Sequence, residues 1–374
     1  MKPMRRETKE LEGDSMLVGT LPLGCTLCIK GSKMVLFVTG LCNSSCYYCP
    51  ISQEKSGRDV VFADEMPVTD ESDILFEAKA IRSEGAGISG GDPLCELDRT
   101  LKYIKLLKHE YRSNFHLHLY TSQTDVSEDV LCKLQNAGLD EIRFHPQTED
   151  WSGIQRAIQT NMVVGIEVPA IPGKLEDLKM IAKRAEEIGV SFLNINELEA
   201  SETNFENLIS MGMRLTNMES ASIKGSASTA KEVLKWSEDN LQNISVHFCS
   251  ARFKDSVQMR RRLERRLEQT IRAFEERDEQ DPLLIVGVVR AVHGRHLEYE
   301  QLVLIHTTLQ NQFDVPTDLM NIDKSRSRVE LAPWVIEEIS EQLKEILVDI
   351  EDLEIGIAFE YPTWDRLQTM FNPL

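Results

Sequence analysis

The stretch MVLFVTGLCNSSCYYCP, residues 34–50, decides how this chain is read. Its first half, MVLFVTG, is apolar, rich in β-branched and aromatic side chains, and ends on a glycine, which is the pattern of a buried strand. Its second half sets Cys42, Cys46 and Cys49 in a C-x3-C-x2-C spacing directly after that strand. Barrel active sites assemble at the carboxyl ends of strands. Three thiolates on one short loop can wrap one face of an iron–sulfur cube. A fully ligated cube takes four cysteines, so three leave one iron open to a small chelating molecule. A second reading stands beside this one. Cys25 and Cys28 precede, with seventeen residues between Cys28 and Cys46, which matches the paired-CxxC spacing of a structural zinc site. Zinc would leave Cys42 over and would enclose the apolar strand within its loop.

Working outward, short apolar runs alternate with amphipathic segments from 34 to about 251. Strands are expected at 34–40, 85–91, 115–122, 139–146, 162–170 and 190–199, with a candidate seventh at 244–251. Between them lie segments of helical period such as 73–84, 97–111 and 176–189. Such alternation with short links implies a parallel sheet, and six to eight units imply a full or partial barrel. Residues 1–33 read as an N-terminal extension carrying the CxxC pair, and 34–251 as the barrel. Residues 252–281 read as a charged connecting helix and 282–374 as a small α/β domain. The segment 200–243 reads as a helical insertion or a lid.

The 374 residues suffice for two or three domains, and 41% hydrophobic with 28% charged residues exclude wholesale disorder. Acidic residues outnumber basic ones 61 to 42, giving a net charge of -19. Such a surface repels phosphate and disfavours general nucleic-acid or anionic-membrane binding. No apolar run approaches the roughly 18 residues of a membrane helix. The start MKPMRRETKELEGDSM lacks the apolar centre of a secretory signal, so a cytoplasmic location is expected. Eight cysteines, five of them between 25 and 49, then suggest metal ligands or reactive thiols and not a disulfide scaffold.

GGDP at 90–93 closes the second strand. Adjacent glycines admit a ligand close to the backbone, and carbonyls with the Asp92 carboxylate can accept from an ammonium group. Gly85-x-Gly87-x-x-Gly90 matches the dinucleotide fingerprint in letters only, because these glycines lie within the strand and not between a strand and a helix.

With C-x3-C-x2-C, an aromatic at Tyr48 and GGDP at the next strand end, residues 34–250 resemble the radical S-adenosylmethionine superfamily. TGLCNSSCYYCP, ISGGDPL and GIEVPAIPG are similar to a branch related to pyruvate formate-lyase activating enzymes. The resemblance implies a partial (βα)6 barrel of that type with a smaller C-terminal α/β domain. It implies a [4Fe–4S] cluster on Cys42, Cys46 and Cys49, whose open iron binds S-adenosylmethionine. Gly90, Gly91 and Asp92 would receive the methionyl ammonium, with Asp where many members have Glu, and the Tyr48 backbone would lie near the adenine. Reductive cleavage would yield a 5′-deoxyadenosyl radical that takes a hydrogen atom from a substrate, small molecule or protein. An electron donor such as a ferredoxin or flavodoxin is implied as partner, and activation of a glycyl-radical enzyme is one outcome consistent with the branch.

Strand alternation describes the lumen independently. His116, His118, Tyr120 and Ser122 share one face, as do Glu141, Arg143 and His145. Glu167 sits between Ile166 and Val168, and Asn194 and Asn196 alternate with Leu193 and Ile195. Helices cover the outer face of a parallel sheet, so the polar sets point inward to a wet or ligand-filled cavity. Arg143 suits a carboxylate or phosphate, His145 and Glu167 suit acid–base or cofactor contact, and His118, Asn194 and Asn196 suit cofactor binding. His-x-His on a strand also suggests a barrel metallohydrolase, which leaves the cysteines unexplained. The other alternative is a zinc-stabilised binding module.

Cys25 and Cys28, with His247 and Cys249 on the candidate seventh strand, read either as a second metal site, zinc or an auxiliary cluster, or as reduced thiols beside an unrelated strand-end pair. The basic run RRRLERRLE reads as a solvated helix face. The C-terminal domain carries no catalytic motif.

Overall fold

The computed structural model describes residues 6–292 and 295–374. Residues 1–5, the first part of the stretch read as lacking a signal and of the extension over 1–33, lie outside the described residues. The chain forms two compact units, Met1–Arg262 and Leu263–Leu374.

The first unit opens with β1 (Thr8–Glu10), β2 (Met16–Val18) and α1 (Leu23–Ile29). Next come β3 (Lys33–Phe37) and a short antiparallel pair, β4 (Phe62–Ala63) and β5 (Met66–Pro67). Helix and strand then alternate: α2 (Glu71–Ala80), β6 (Gly85–Ser89), α3 (Leu97–Tyr111), β7 (His116–Thr121), α4 (Glu128–Ala137) and β8 (Glu141–Phe144). The alternation continues with α5 (Ser152–Ala157), β9 (Val163–Ala170), α6 (Leu175–Ile188), β10 (Phe192–Glu197), α7 (Phe205–Ser210), α8 (Ser226–Asn240) and β11 (Ser245–Cys249). Local chemistry sets the helix limits. Asp70 caps α2 by accepting from the Ser72 N–H at 2.7 Å, while Asp73 accepts from the Asp70 N–H at 3.1 Å. The helices α4 and α6 stop at Gly138 and Gly189, both left-handed at φ 106° and 91°.

Strand order across the sheet is β1-β2-β11-β10-β9-β8-β7-β6-β3-β4-β5. The seven strands from β3 to β11 in the middle are parallel, so the candidate seventh strand is part of the barrel wall. The free edge of β3 pairs with β4 and that of β11 with β2, so the barrel is partial. On the outer face Leu117, Leu119, Ile142, Phe144, Ile166 and Ile195 are buried in one core with Leu131, Leu134 and Ala182 of the helices. Each such burial stabilises by about 1.5–3 kcal/mol. A one-residue slip would exchange this face for the polar one, and the register is held accordingly.

The extension over 1–33 is not separate from the barrel. Strand β11 presents unpaired edge groups that β2 satisfies, and β1 then pairs with β2. Helix α1 buries Gly24, Cys25 and Leu27. The connector over 252–281 is likewise not one helix. It comprises α9 (Ala251–Phe253), a π-helical turn at Lys254–Met259, and α10 (Arg260–Thr270), and β12 (Glu276–Arg277) follows. The basic run is not merely solvated, because Arg261 donates to the Ile29 carbonyl at 2.8 Å and Arg262 to Asp64 at 2.6 Å. These contacts fasten the start of the chain and the β4–β5 turn. Of the segment 200–243, α8 is a barrel helix. Only the part before it is irregular, packed through Leu198, Leu208 and Ile223 against Tyr47 and Tyr48.

The second unit adds β13 (Leu284–Ala291), α11 (Tyr299–Gln312), β14 (Met320–Asp323), β15 (Arg328–Leu331), α12 (Pro333–Ile346), β16 (Leu353–Glu360) and β17 (Gln368–Pro373). Its sheet is antiparallel, ordered β14-β15-β13-β16-β17 with β12 on β13. Within it Arg328 is buried between Glu330 and Glu360, with Nη2 at 2.6 and 3.0 Å from their carboxylates.

Candidate active site

The cysteine loop leaves the carboxyl end of β3 and is held from three sides. Gly40 at its entrance sits so close to the chain that a Cβ there would lie 1.6 Å from the Lys55 carbonyl oxygen. On the second side the GGDP turn laces to it: the Gly91 N–H donates to the Thr39 carbonyl at 2.7 Å and the Asp92 N–H to the Leu41 carbonyl at 2.8 Å. A Cβ on Gly90 or Gly91 would come within 2.5 Å of those same carbonyls. The glycines therefore serve first to bring two loops together. On the third side Asn204, almost fully buried, donates to the Tyr48 carbonyl at 3.0 Å, and Thr203 donates to that of Ile51 at 2.7 Å. Sequence reading missed Thr203 and Asn204. They lie in a polar stretch without periodicity, and only the fold brings them to the loop.

Cys42, Cys46 and Cys49 all line a cavity of about 760 Å³ that opens from this loop into the barrel. Burial pushes the Cys46 and Cys49 thiols up, and each feels the neighbouring thiols. Among the described residues no three His, Cys, Asp or Glu side chains stand in metal-holding geometry, here or at Cys25, Cys28, His247 and Cys249. For a [4Fe–4S] cluster the donor chemistry fits nonetheless: three soft thiols on one loop share one wall, with open space before them.

Arg143 organises the lumen. Its guanidinium is fully buried and lies over the rings of Tyr120 and Phe192, 5.4 and 5.1 Å from their centroids. Nε donates to Glu141 at 2.6 Å and Nη1 to Glu167 at 2.8 Å. Glu167 also accepts from Asn196 Nδ2 at 2.9 Å, and Arg143 holds its carboxyl below the ordinary value against the opposing effect of burial. Arg143, expected to clamp a carboxylate or phosphate, is paired with two carboxylates of the chain itself.

His145 is fixed by its neighbours. Its Nδ1–H donates to the Glu167 carbonyl at 2.7 Å, which leaves Nε2 to accept from the Tyr48 hydroxyl at 2.9 Å. Gln147 Nε2 donates in turn to Tyr48 at 3.0 Å. Burial holds His145 below its ordinary value, so it stays neutral. Asn194 bridges Asn196 and His247, accepting from His247 Nδ1 at 2.5 Å. Tyr48, Gly90, Gly91, Arg143, His145 and Glu167 line the cavity together with Asn194, Asn196, His247 and Cys249.

Two expected residues are placed differently. The Asp92 carboxylate is fully buried and accepts from Thr121 Oγ1 at 3.0 Å, Ser122 N–H at 3.0 Å, Ser122 Oγ at 2.9 Å and Leu94 N–H at 3.0 Å. With its acceptor sites filled, it staples the turn to β7 and is absent from the cavity lining. His118 is sealed at the floor, where Nε2 meets Tyr120 OH at 3.1 Å and Lys33 Nζ at 3.4 Å. Burial, then the Arg143 and Lys33 charges, keep it neutral. Those two cations beside the His-x-His pair disfavour a metal ion there, against the metallohydrolase reading.

Residues 36–163 match the family described as Radical SAM superfamily, and 283–374 match Domain of unknown function (DUF8061). A putative glycyl-radical enzyme activating enzyme of Methanocaldococcus jannaschii is 35% identical over 366 residues, 95% of this chain and 93% of that protein. The chain belongs to the radical S-adenosylmethionine superfamily. Membership makes it an enzyme and implies a [4Fe–4S] cluster and S-adenosylmethionine. It displaces the zinc-module and metallohydrolase readings. Among solved structures, SuiB of Streptococcus suis is 11% identical over 59% of this chain and 50% of that chain, at a TM-score of 0.41. Methylornithine synthase is 12% identical over 57% and 63%, at 0.39. No helix of the described residues is long and apolar enough to cross a membrane.

Proposed function

We propose that Cys42, Cys46 and Cys49 hold a [4Fe–4S] cluster, that S-adenosylmethionine lies in the cavity before them, and that a hydrogen atom is taken from a substrate reaching into the lumen. The observation that carries this reading is the single cavity shared by the three thiols, the Gly90–Gly91 turn and the polar lumen residues. When bound, the cluster supplies the electron that cleaves the sulfonium to methionine and a 5′-deoxyadenosyl radical. The residues of this chain bind and orient. Backbone carbonyls at Gly90 and Gly91 accept the methionyl ammonium, with Asp92 holding the turn in place. Tyr48, fixed by His145 and Gln147, borders the nucleoside. Glu167, Asn194 and Asn196 present acceptors and donors to the ribose or to the substrate. Arg143 acts as a positioning residue for Glu167.

The name of the M. jannaschii relative supports a second reading, in which the hydrogen comes from a glycine of a partner enzyme. Either substrate needs a one-electron donor of the ferredoxin or flavodoxin class. Anaerobic reconstitution tests the common core. The protein turns brown with about four irons per chain, and with dithionite it releases 5′-deoxyadenosine, and Cys42→Ala loses both properties. A colourless zinc protein that leaves S-adenosylmethionine intact refutes it.

A further inference from the structure

Helix α1 carries two thiols that the proposed function does not use. Cys25 and Cys28 stand one helical turn apart and are free. Both line the same cavity as Cys42, Cys46 and Cys49. The helix is pressed against the lumen: a Cβ on Gly24 would lie 2.7 Å from Arg143 Nη2 and from His118 Nδ1. Arg143 Nη2 donates to Cys25 Sγ at 3.6 Å. Near Cys28 lies the Lys33 ammonium, 5% exposed. Its hydrogen-bond neighbours are His118 Nε2 at 3.4 Å and Tyr120 OH at 3.5 Å, and among the described residues no carboxylate lies in ion-pair distance of it. Each sulfur thus has a buried cation within electrostatic reach, on the floor of a cavity whose mouth is the cysteine loop.

We infer that Cys25 and Cys28 form a redox-active dithiol that returns a hydrogen atom to a carbon radical generated in the cavity. The inference rests on the hydrogen abstraction proposed above. A thiol S–H is weaker than an aliphatic C–H, so the transfer runs toward carbon. The Cys25 S–H bond breaks, a C–H bond forms, and a thiyl radical remains on Cys25. Cys28 then loses its proton and its sulfur bonds to Cys25. The resulting disulfide radical anion passes its extra electron to a one-electron acceptor of the iron–sulfur class, leaving a disulfide. Two thiols have then yielded one hydrogen atom, one proton and one electron. A dithiol reductant restores the pair. The Arg143 and Lys33 charges favour the anionic intermediate. Burial pushes the Cys25 thiol up to about 11, so it carries its hydrogen at neutral pH.

The test is uncoupled turnover of the reconstituted full chain in D2O without substrate. Water O–D bonds are too strong to quench the nucleoside radical, so deuterium enters 5′-deoxyadenosine only from a weak exchangeable bond. The recovered nucleoside is expected to be deuterated, and the peptide spanning Cys25 and Cys28 to gain an internal disulfide in step with it. In Cys25→Ser/Cys28→Ser the deuterated fraction falls several-fold, whereas Cys249→Ser keeps it. Unlabelled nucleoside from the wild type, or label that survives the double substitution, overturns the dithiol while leaving the cleavage reading intact. No nucleoside at all refutes the cleavage reading instead. A readout independent of turnover uses the apoprotein with oxidised glutathione, in which Cys25 and Cys28 are expected to pair with each other. Thiols that stay unreactive because they hold zinc after purification overturn the inference.

Discussion

Replacing Arg143 by methionine removes a cation that touches both Glu141 and Glu167. Glu141 suffers most, because its side chain is 1% exposed and, among the described residues, the other group in ion-pair distance is His116, 3.6 Å away and held largely neutral by burial. Glu167 keeps the Asn196 amide. Breaking a buried ion pair by deleting one partner costs about 3–5 kcal/mol. For a unit of 262 residues this lowers the melting temperature by about 6–10 °C, at about 2 °C per kcal/mol. The deficit has a pH signature. Without the guanidinium, burial raises the folded-state carboxyl of Glu167 above its unfolded value, so the variant binds more protons folded than unfolded and loses stability as pH rises. The gap to wild type is therefore wide at pH 8 and narrows toward pH 5. Thermal unfolding of both apoproteins across that range, followed by circular dichroism, makes the measurement. A shift under about 2 °C at pH 8, or a gap that ignores pH, would show that Arg143 does not carry the lumen charges as described.

Asp92→Ala strands four donors and is expected to lower stability by about 3 kcal/mol, read from the urea midpoint; an unchanged midpoint would return Asp92 to the cavity as a ligand residue. Gly165→Ala puts a Cβ 2.1 Å from the Phe192 ring and should cost about 1–3 kcal/mol, with much of the loss recovered by adding Phe192→Leu. Burial pushes His247 down to about 4 from its ordinary 6.5. Its contribution to stability is fully present above pH 6.5 and is lost as pH falls toward 4, so His247→Gln should flatten that limb of the stability profile. An unaltered acid limb would mean that His247 is not held neutral in the fold.

What the sequence by itself determined is local. The run of apolar strand and spaced cysteines at 34–50, the glycine pair at 90–91 and the alternation of inward polar residues on β7 to β10 are short-range patterns. Strand geometry converts each of them directly into a face or a loop. Six strands, a candidate seventh and the polar residues of the lumen follow from such patterns. The tertiary structure alone decided which polar groups remain available. Asp92 looked like a ligand for an ammonium until Thr121 and Ser122, thirty residues on, filled its oxygens. Arg143 looked like a free clamp until Glu141 and Glu167 paired with it. The extension holding Cys25 and Cys28 had no pattern to say where it would lie, and the unpaired edge of β11 drew β2 to it and left α1 on the lumen. A residue type states what a side chain can bond, but burial drives most polar groups to find a partner, and that partner is chosen by contacts distant in the chain.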